Sequence, residues 1–198
     1  MRLILASGSS ARRTMLSDAG VAFDVERPNV DEDAAKAALA ATGTYPRDTA
    51  DALAQLKALR VSQRAPAALV LGSDSIVELA DGTLLDKPES REDACDHLRR
   101  MSGTRVRLHS AAVMALGSQP VWRHVDTATL HVRALSADFI TRYLDAEWPA
   151  IAACVGCFRI EGPGVQLFAA VEGSHFTILG LPLLPVLDYL RTRGVLTS

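Results

Sequence analysis

Two short, fully apolar runs, each ending in small polar residues, constrain the fold of this chain most strongly. The first, Leu3-Ile4-Leu5-Ala6, is followed by Ser7-Gly8-Ser9-Ser10, and the second, residues 67–71, is followed by Gly72-Ser73-Asp74-Ser75. A strand that is apolar at every position has both faces buried, which is typical of a sheet covered by helices on two sides. We therefore expect an α/β protein whose helices flank a central sheet.

The remaining segments predict further helices and two hairpins within one domain, residues 1–198. Capping residues and apolar spacing predict helices over residues 11–19, 31–42, 48–63, 90–101, 136–146 and 182–194. In the third of these helices, Ala52, Leu53, Leu56 and Leu59 are expected to form the buried face. Asp81-Gly82 predicts a tight hairpin turn. Further strands are predicted over residues 21–25, 76–79, 83–85, 105–116, 121–133 and 165–169.

Composition excludes several classes of protein. Hydrophobic residues make up 48% of the chain, charged residues 22%, and the net charge is −2, so neither a disordered chain nor a sequence-blind nucleic-acid binder fits. No apolar run approaches the roughly 18 residues of a membrane span. The N-terminal apolar run, residues 3–6, is shorter than the roughly 7–15 apolar residues of a signal peptide. Three cysteines, an odd number, are typical of reduced thiols, and we expect a cytoplasmic protein.

The residues after the first strand are suited to binding an anion. Ser7 and Ser9 are small enough to admit a ligand closely, and Arg12 and Arg13 carry forked donors that match phosphate oxygens. A strand, a small-residue turn and a helix start in that order also direct backbone N–H groups at a bound anion. Such junctions are common, however, and paired arginines there are usually solvated, so the pattern alone leaves both interpretations open.

Further candidates are carboxylates and lysines at separate places in the chain. Asp74 follows the second apolar run, where a carboxylate can act as a general base, hold a divalent cation, or simply bond its own backbone in a turn. The hairpin turn at residues 81–82 can return Lys87 to a position beside Asp74. Glu32 and Lys57, considered singly, are ordinary residues of a helix start and a solvated helix face.

Cys154 and Cys157 form a CxxC pair that lacks the context of a metal or redox site. A zinc site needs a second pair of ligands, and the five histidines show no matching spacing. We therefore expect ordinary thiols here. His109 and His131 lie in apolar strand patterns, which predicts packed or surface strand residues, and no Gly-x-Ser-x-Gly motif supports serine hydrolase chemistry.

Taken together and in chain order, these segments resemble the Maf family of nucleoside triphosphate pyrophosphatases. The family opens on Leu-Ala-Ser-x-Ser-Pro, one variable residue and then Arg; here Arg12 follows in the same place, with Ser10 where the family has proline. The resemblance spans essentially the whole chain. The matching segments are residues 3–13, Val30-Asp31-Glu32, Gly72-Ser73-Asp74-Ser75, Asp86-Lys87-Pro88, Met101-Ser102-Gly103, Glu161-Gly162-Pro163-Gly164 and Gly180-Leu181-Pro182-Leu183.

This resemblance implies hydrolysis of a nucleoside triphosphate to the monophosphate and pyrophosphate, assisted by Mg²⁺ or Mn²⁺. The implied fold is Maf/ITPase-like, with a mixed twisted sheet, flanking helices and two lobes around a nucleotide cleft. Asp74 would be the general base, and Glu32 with Asp74 would hold the metal. The residues implied to bind phosphate are Ser7, Ser9, Arg12, Arg13, Lys57 and Lys87.

Three family positions that set base preference are occupied here by Ala11, Ser75 and Glu161. Glu161 resembles the branch that acts on 7-methyl-GTP rather than the dTTP/UTP branch. Ala11 lacks the side chain that either branch offers, which also favours a broader range of nucleotides, including modified ones. The alternatives are a nucleotidyltransferase and, since the family was first linked to septum formation, a non-enzymatic regulator of cell division.

Lysine is scarce among the basic residues. Of 21 basic residues only three are lysines, and two of these, Lys57 and Lys87, fall on implied phosphate positions. A compact ammonium that arginine cannot replace would explain this choice. We expect no stable binding to nucleic acid or membrane, and a homodimer, because two-fold dimers are the commonest assembly.

Overall fold

The computed structural model describes residues 1–197, which form a seven-stranded mixed sheet with helices on both of its faces. The strands are β1 (Leu3–Ala6), β2 (Asp24–Val25), β3 (Leu69–Glu78), β4 (Leu84–Leu85), β5 (Arg105–Leu116), β6 (Gln119–Val132) and β7 (Phe168–Glu172). The helices are α1 (Ser10–Asp18), α2 (Glu32–Ala41), α3 (Pro46–Ser62), α4 (Arg91–Met101), α5 (Ala137–Glu147), α6 (His175–Ile178) and α7 (Leu183–Thr192). The strand order is β2-β1-β3-β5-β6-β7, with β4 also paired to β3.

Alternate residues of β3 show how the two faces of the sheet are covered. Leu69 and Leu71 pack in one cluster with residues of α1 and α7. Val70 and Ile76, on the opposite face, pack in clusters that include residues of α3. Burial on both faces explains the continuous apolar run in the sequence. The predicted α/β architecture is therefore confirmed.

The two edges of β3 are paired differently, and the difference leaves an opening in the sheet. On one side β5 pairs with β3 from Val70 to Glu78. On the other side the parallel strand β1 ends opposite Gly72, and the antiparallel strand β4 reaches back only as far as Val77. On that edge, no strand of residues 1–197 pairs with β3 between those two points. In open α/β sheets, ligands bind beyond the carboxyl ends of strands such as β1.

Helix α3 differs from its prediction in both its start and its buried face. It begins at Pro46, earlier than the predicted Asp48 or Thr49, because proline lacks an N–H and suits the first helical turn. Leu56 was expected to be buried but is 39% exposed. Leu53 is buried as predicted, and the rest of the inward face carries small alanines, including Ala54 and Ala58, since the helix packs directly against Gly72.

Three strand predictions also need correction. Asp74 does not follow the end of a strand: β3 continues to Glu78 because β5 satisfies its backbone throughout. The predicted strand over 165–169 is shifted to β7, because residues 163–167 form a 3₁₀ helix that begins at Pro163. The strand predicted over 21–25 is reduced to β2. No helix in residues 1–197 is long and apolar enough to cross a membrane.

Candidate functional site

A cavity of about 660 Å³ lies at the opening beside β3. The β1–α1 loop borders it on one side, and the chain that follows β4 borders it on the other. Its charged and hydroxyl-bearing lining residues are Ser7, Ser9, Ser10, Arg12, Arg27, Glu32, Lys36, Lys57, Asp74, Ser75, Lys87, Arg159 and Glu161. A cavity of this size is typical of sites for small-molecule ligands and cofactors.

The cavity has an excess of positive charge that the whole chain lacks. Six basic and three acidic side chains line it, whereas the net charge of the chain is −2. All three lysines of the sequence, Lys36, Lys57 and Lys87, are among the lining residues. Such a local excess can attract a small polyanion even when the protein as a whole is slightly acidic.

Lys57 of α3 links two carboxylates at the base of the cavity. Its Nζ donates to Asp74 Oδ1 at 2.5 Å and lies 3.0 Å from Glu32 Oε2. The side chains of Lys57 and Asp74 are only 7% and 8% exposed, respectively. Burial disfavours the charge on Glu32, but the positive charges of Lys57, Lys87 and Lys36 outweigh it and lower the pKa of that carboxyl. Glu32 is therefore anionic near neutral pH.

Lys36 is a cavity residue that the sequence reasoning missed. It lies on α2 and donates a hydrogen bond to Asp86, next to Lys87. Burial disfavours its charge, yet the hydrogen bond to Asp86 and the charges of Asp74 and Glu32 raise the pKa of Lys36. The scarcity of lysine was the available signal, because it singles out Lys36 together with the other two.

Arg12 joins three parts of the cavity wall. Its Nε donates to the carbonyl of Gly180 at 2.7 Å, Nη1 to Ser7 Oγ at 3.2 Å and Nη2 to Ser75 Oγ at 3.0 Å. Burial lowers the pKa of Arg12, with Asp74 and Glu32 opposing that effect, but a guanidinium still stays charged in proteins. Three of its five donors are occupied, so two remain for a bound anion.

The first turn of α1 presents backbone N–H groups to the same cavity. Ser9 caps the helix by accepting a hydrogen bond from the backbone of Arg12 at 3.4 Å. Ser7 in turn accepts one from the backbone of Ser9 at 3.2 Å. Ser9, Ser10 and Ala11 all line the cavity, so the positive end of the α1 dipole faces its interior.

A family model described as Maf-like protein matches residues 2–193. The chain belongs to the Maf family. Among curated relatives, a nucleoside triphosphate pyrophosphatase of Sphingopyxis alaskensis is 50% identical over 195 residues, which cover 98% of each chain. Proteins of the same name from Caulobacter vibrioides and Ruegeria pomeroyi are 49% and 47% identical, covering 98% and 99% of this chain and 96% and 98% of their own.

This Maf protein brings most of the implied site residues together. Every residue implied to act on phosphate or metal lines the cavity except Arg13, whose side chain is exposed outside it. The turn role considered for Asp74 is wrong, because the residue lies within β3. Lys87 lines the same cavity as Asp74, in agreement with the predicted return of the hairpin. Ala11, Ser75 and Glu161 also line it.

The CxxC segment, Cys154 to Cys157, borders the cavity. Cys157 is fully buried, and its Sγ lies 3.3 Å from Nδ1 of His97. Burial raises the pKa of the Cys157 thiol to about 12 and also raises that of Cys154. No group of three or more His, Cys, Asp or Glu residues within residues 1–197 is arranged to hold a metal on its own. His109, predicted to be either a packed or a surface strand residue, is packed: it is buried, and its Nε2 lies 2.9 Å from Glu78 Oε2.

Proposed function

We propose that this protein is a hydrolase that converts nucleoside triphosphates to nucleoside monophosphates and pyrophosphate. The observation that carries the proposal is the convergence of all three lysines, Asp74 and Glu32 on one cavity beside the open edge of β3. A triphosphate needs several cations along its length, because charge moves onto the leaving pyrophosphate during the reaction. The names of the relatives at 47–50% identity support the same activity.

In the proposed reaction Asp74 acts as the general base. Lys57 holds Oδ1 of this carboxylate, which leaves Oδ2 to accept a proton from water. The water oxygen forms a bond to the α-phosphorus, the α–β anhydride bond breaks, and the bridging oxygen leaves with pyrophosphate. Lys36 and Lys87 neutralise the β- and γ-phosphates, and a fixed arrangement of such charges accounts for most of the catalysis in phosphoryl-type transfer.

The α-phosphate side of the substrate is assigned to the β1–α1 loop. Ser7 and Ser9 offer hydroxyls, and Arg12 retains two donors after its contacts with the cavity wall. Backbone N–H groups at the start of α1, which borders the cavity, would add neutral donors for the same phosphate. We leave Arg13 out of this proposal, since its side chain does not line the cavity.

The carboxylates of the cavity fit a divalent metal of the Mg²⁺ or Mn²⁺ type. Glu32 and Asp74 come from different elements, yet both reach the same Nζ of Lys57. Magnesium in proteins is usually held by one or two carboxylates together with substrate phosphates and water, which suits this donor set. When bound, the metal would neutralise phosphate charge next to the α-phosphorus.

At the base end, we propose a preference for 7-methyl-GTP and related modified nucleotides. Methylation at N7 gives the guanine ring a positive charge, and Glu161 provides an exposed carboxylate at the cavity wall. Ser75 is fixed by Arg12 and by Ser110 at 2.9 Å, so its hydroxyl is a rigid part of that wall. Ala11 leaves room for ring substituents.

The test is a panel of common and modified triphosphates, including 7-methyl-GTP, with Mg²⁺ or Mn²⁺ and separate detection of pyrophosphate and inorganic phosphate. We expect pyrophosphate from at least one substrate, and a loss of about a hundredfold or more in Asp74→Asn. The matched control Asp188→Asn changes an exposed aspartate of α7 and should retain activity. No pyrophosphate from any triphosphate would overturn the proposal, and transfer of the nucleotide to a sugar phosphate would favour a nucleotidyltransferase.

A further inference from the structure

A second cavity, of about 690 Å³, adjoins the charged one and lies between α1 and α7. We call it the α1–α7 groove. Its lining residues are Ser10, Ala11, Thr14, Met15, Asp18, Ala19, Glu161, His175, Phe176, Leu179, Leu183, Leu184 and Leu187. Most of these side chains are apolar, and none of the three lysines is among them. The chemistry of the groove is therefore opposite to that of the phosphate end of the site.

The groove and the charged cavity share part of their walls. Ser10, Ala11, Glu161 and Leu179 line both spaces. At this junction the side chain of Ala11 is a single methyl group, so α1 places no bulky side chain there. A ligand whose charged end is held by the lysines and whose ring lies near Ala11 and Glu161 can therefore extend directly into the groove.

We propose that the α1–α7 groove binds an apolar, aromatic substituent carried on the base of the nucleotide. This inference rests on the proposed function, because the phosphates must occupy the lysine end of the site. Phe176 offers an aromatic edge, Met15 an adaptable thioether, and Leu184 and Leu187 flexible aliphatic walls. The enzyme would thus act on triphosphates whose bases carry groups of about phenyl size.

Leu184 is the best position at which to alter the groove alone. Its side chain is 61% exposed and lines the groove but not the charged cavity. Leu184→Asp therefore places a carboxylate against the substituent without touching the phosphate-binding residues. Thr14→Trp, one helical turn beyond Ala11, fills the groove with an apolar ring and adds no charge. Leu56→Asp is the matched control, an exposed leucine on α3 outside both spaces.

The experiment measures pyrophosphate release from N6-benzyl-ATP against ATP and from 7-benzyl-GTP against 7-methyl-GTP, for the wild type and the three variants. In at least one pair, the wild type is expected to show a kcat/KM for the benzyl substrate that equals or exceeds the value for its partner. Leu184→Asp and Thr14→Trp should each lower the benzyl-to-partner ratio of kcat/KM about tenfold, a typical penalty for disturbing an apolar pocket. Leu56→Asp should leave the ratio unchanged.

Several outcomes would overturn the inference. It is wrong if the wild type has a kcat/KM for each benzyl substrate more than about tenfold below that for its partner, ATP or 7-methyl-GTP. It is also wrong if all variants keep the wild-type ratio. A variant that shifts the sedimentation of the protein while leaving the ratio unchanged would assign the groove to a contact between copies of the chain. Failure to hydrolyse ATP, 7-methyl-GTP and the benzyl substrates alike would instead overturn the proposed function, and the inference with it.

Discussion

Lys57 and Asp74 form a nearly buried ion pair, with Nζ donating to Oδ1 at 2.5 Å, and the same Nζ lies 3.0 Å from Glu32. The pair joins α3 to the middle of β3, where the edge of the strand is open. One ammonium therefore fixes the orientation of the proposed base and gathers the two carboxylates suited to a metal. Fold and chemistry depend on the same contact.

Removing the lysine of this ion pair should be costly for stability. In Lys57→Met, Asp74 is left as a buried charge beside Glu32, and breaking a buried pair in this way typically costs about 3–5 kcal/mol. The free energy of unfolding from urea titration measures the loss. Adding Asp74→Asn removes one of the stranded charges, so the double variant should recover part of it. A double variant less stable than Lys57→Met would contradict this account.

Lys87 should not tolerate arginine despite the retained charge. Its side chain is exposed at the cavity wall, so the substitution should leave the thermal midpoint unchanged. A planar guanidinium, however, cannot replace a compact ammonium at a phosphate oxygen. We expect kcat/KM for the preferred triphosphate to fall about tenfold, or ~1.4 kcal/mol of transition-state stabilisation. The control is Arg60→Lys on the exposed side of α3. Wild-type kinetics in Lys87→Arg would show that Lys87 does not contact substrate.

Gly72 controls the distance between α3 and β3. A Cβ at this position would lie 2.2 Å from the carbonyl oxygen of Ala54 and 2.6 Å from the backbone nitrogen of Ala58. Gly72→Ala must therefore move the helix that carries Lys57, and overpacking of this kind costs about 1–3 kcal/mol. Calorimetry should show a lower melting temperature. Gly8→Ala, whose nearest neighbour is at 3.8 Å, should melt close to the wild type.

The charge on Glu32 should make stability depend on pH. Because its pKa is lowered in the folded protein, Glu32 stabilises the fold above its unfolded pKa of about 4.3, and that contribution is lost as pH falls through the folded value. The wild type should therefore exceed Glu32→Gln in unfolding free energy by the largest amount at pH 7, and this difference should shrink in acid. A difference that grows as the pH falls below 4 would contradict the assignment, and exposed Glu89→Gln is the control.

Sequence alone predicted most of the elements, because their signals are local. Ser90 and Ser136 cap α4 and α5 where their positions indicated, and Gly82 lies in the turn between β3 and β4. The buried face of α3 was predicted only in part: Leu53 is buried, but Leu56 is not. The leucine pattern takes no account of Gly72, which favours alanines at the closest contact. That contact becomes visible only when α3 is packed on β3.

Most of the candidate site was predicted through resemblance rather than spacing. The pairing of Lys57 with Asp74 depends on α3 crossing β3, a long-range contact that no local pattern encodes. Lys36 was missed because α2 is an alanine-rich helix in which a single lysine is typical of the surface. Arg13, which was grouped with Arg12, does not line the cavity, because neighbouring residues on a helix point about 100° apart.

The origin of the oxygen added to the product tests the central claim most directly. Hydrolysis of the preferred triphosphate in ¹⁸O-labelled water, followed by mass spectrometry, shows which phosphorus is attacked. If Asp74 directs water to the α-phosphorus, the label will appear in the nucleoside monophosphate and not in pyrophosphate, and Asp74→Asn will suppress labelling. Label in pyrophosphate or inorganic phosphate, or undiminished labelling in Asp74→Asn, would contradict the account.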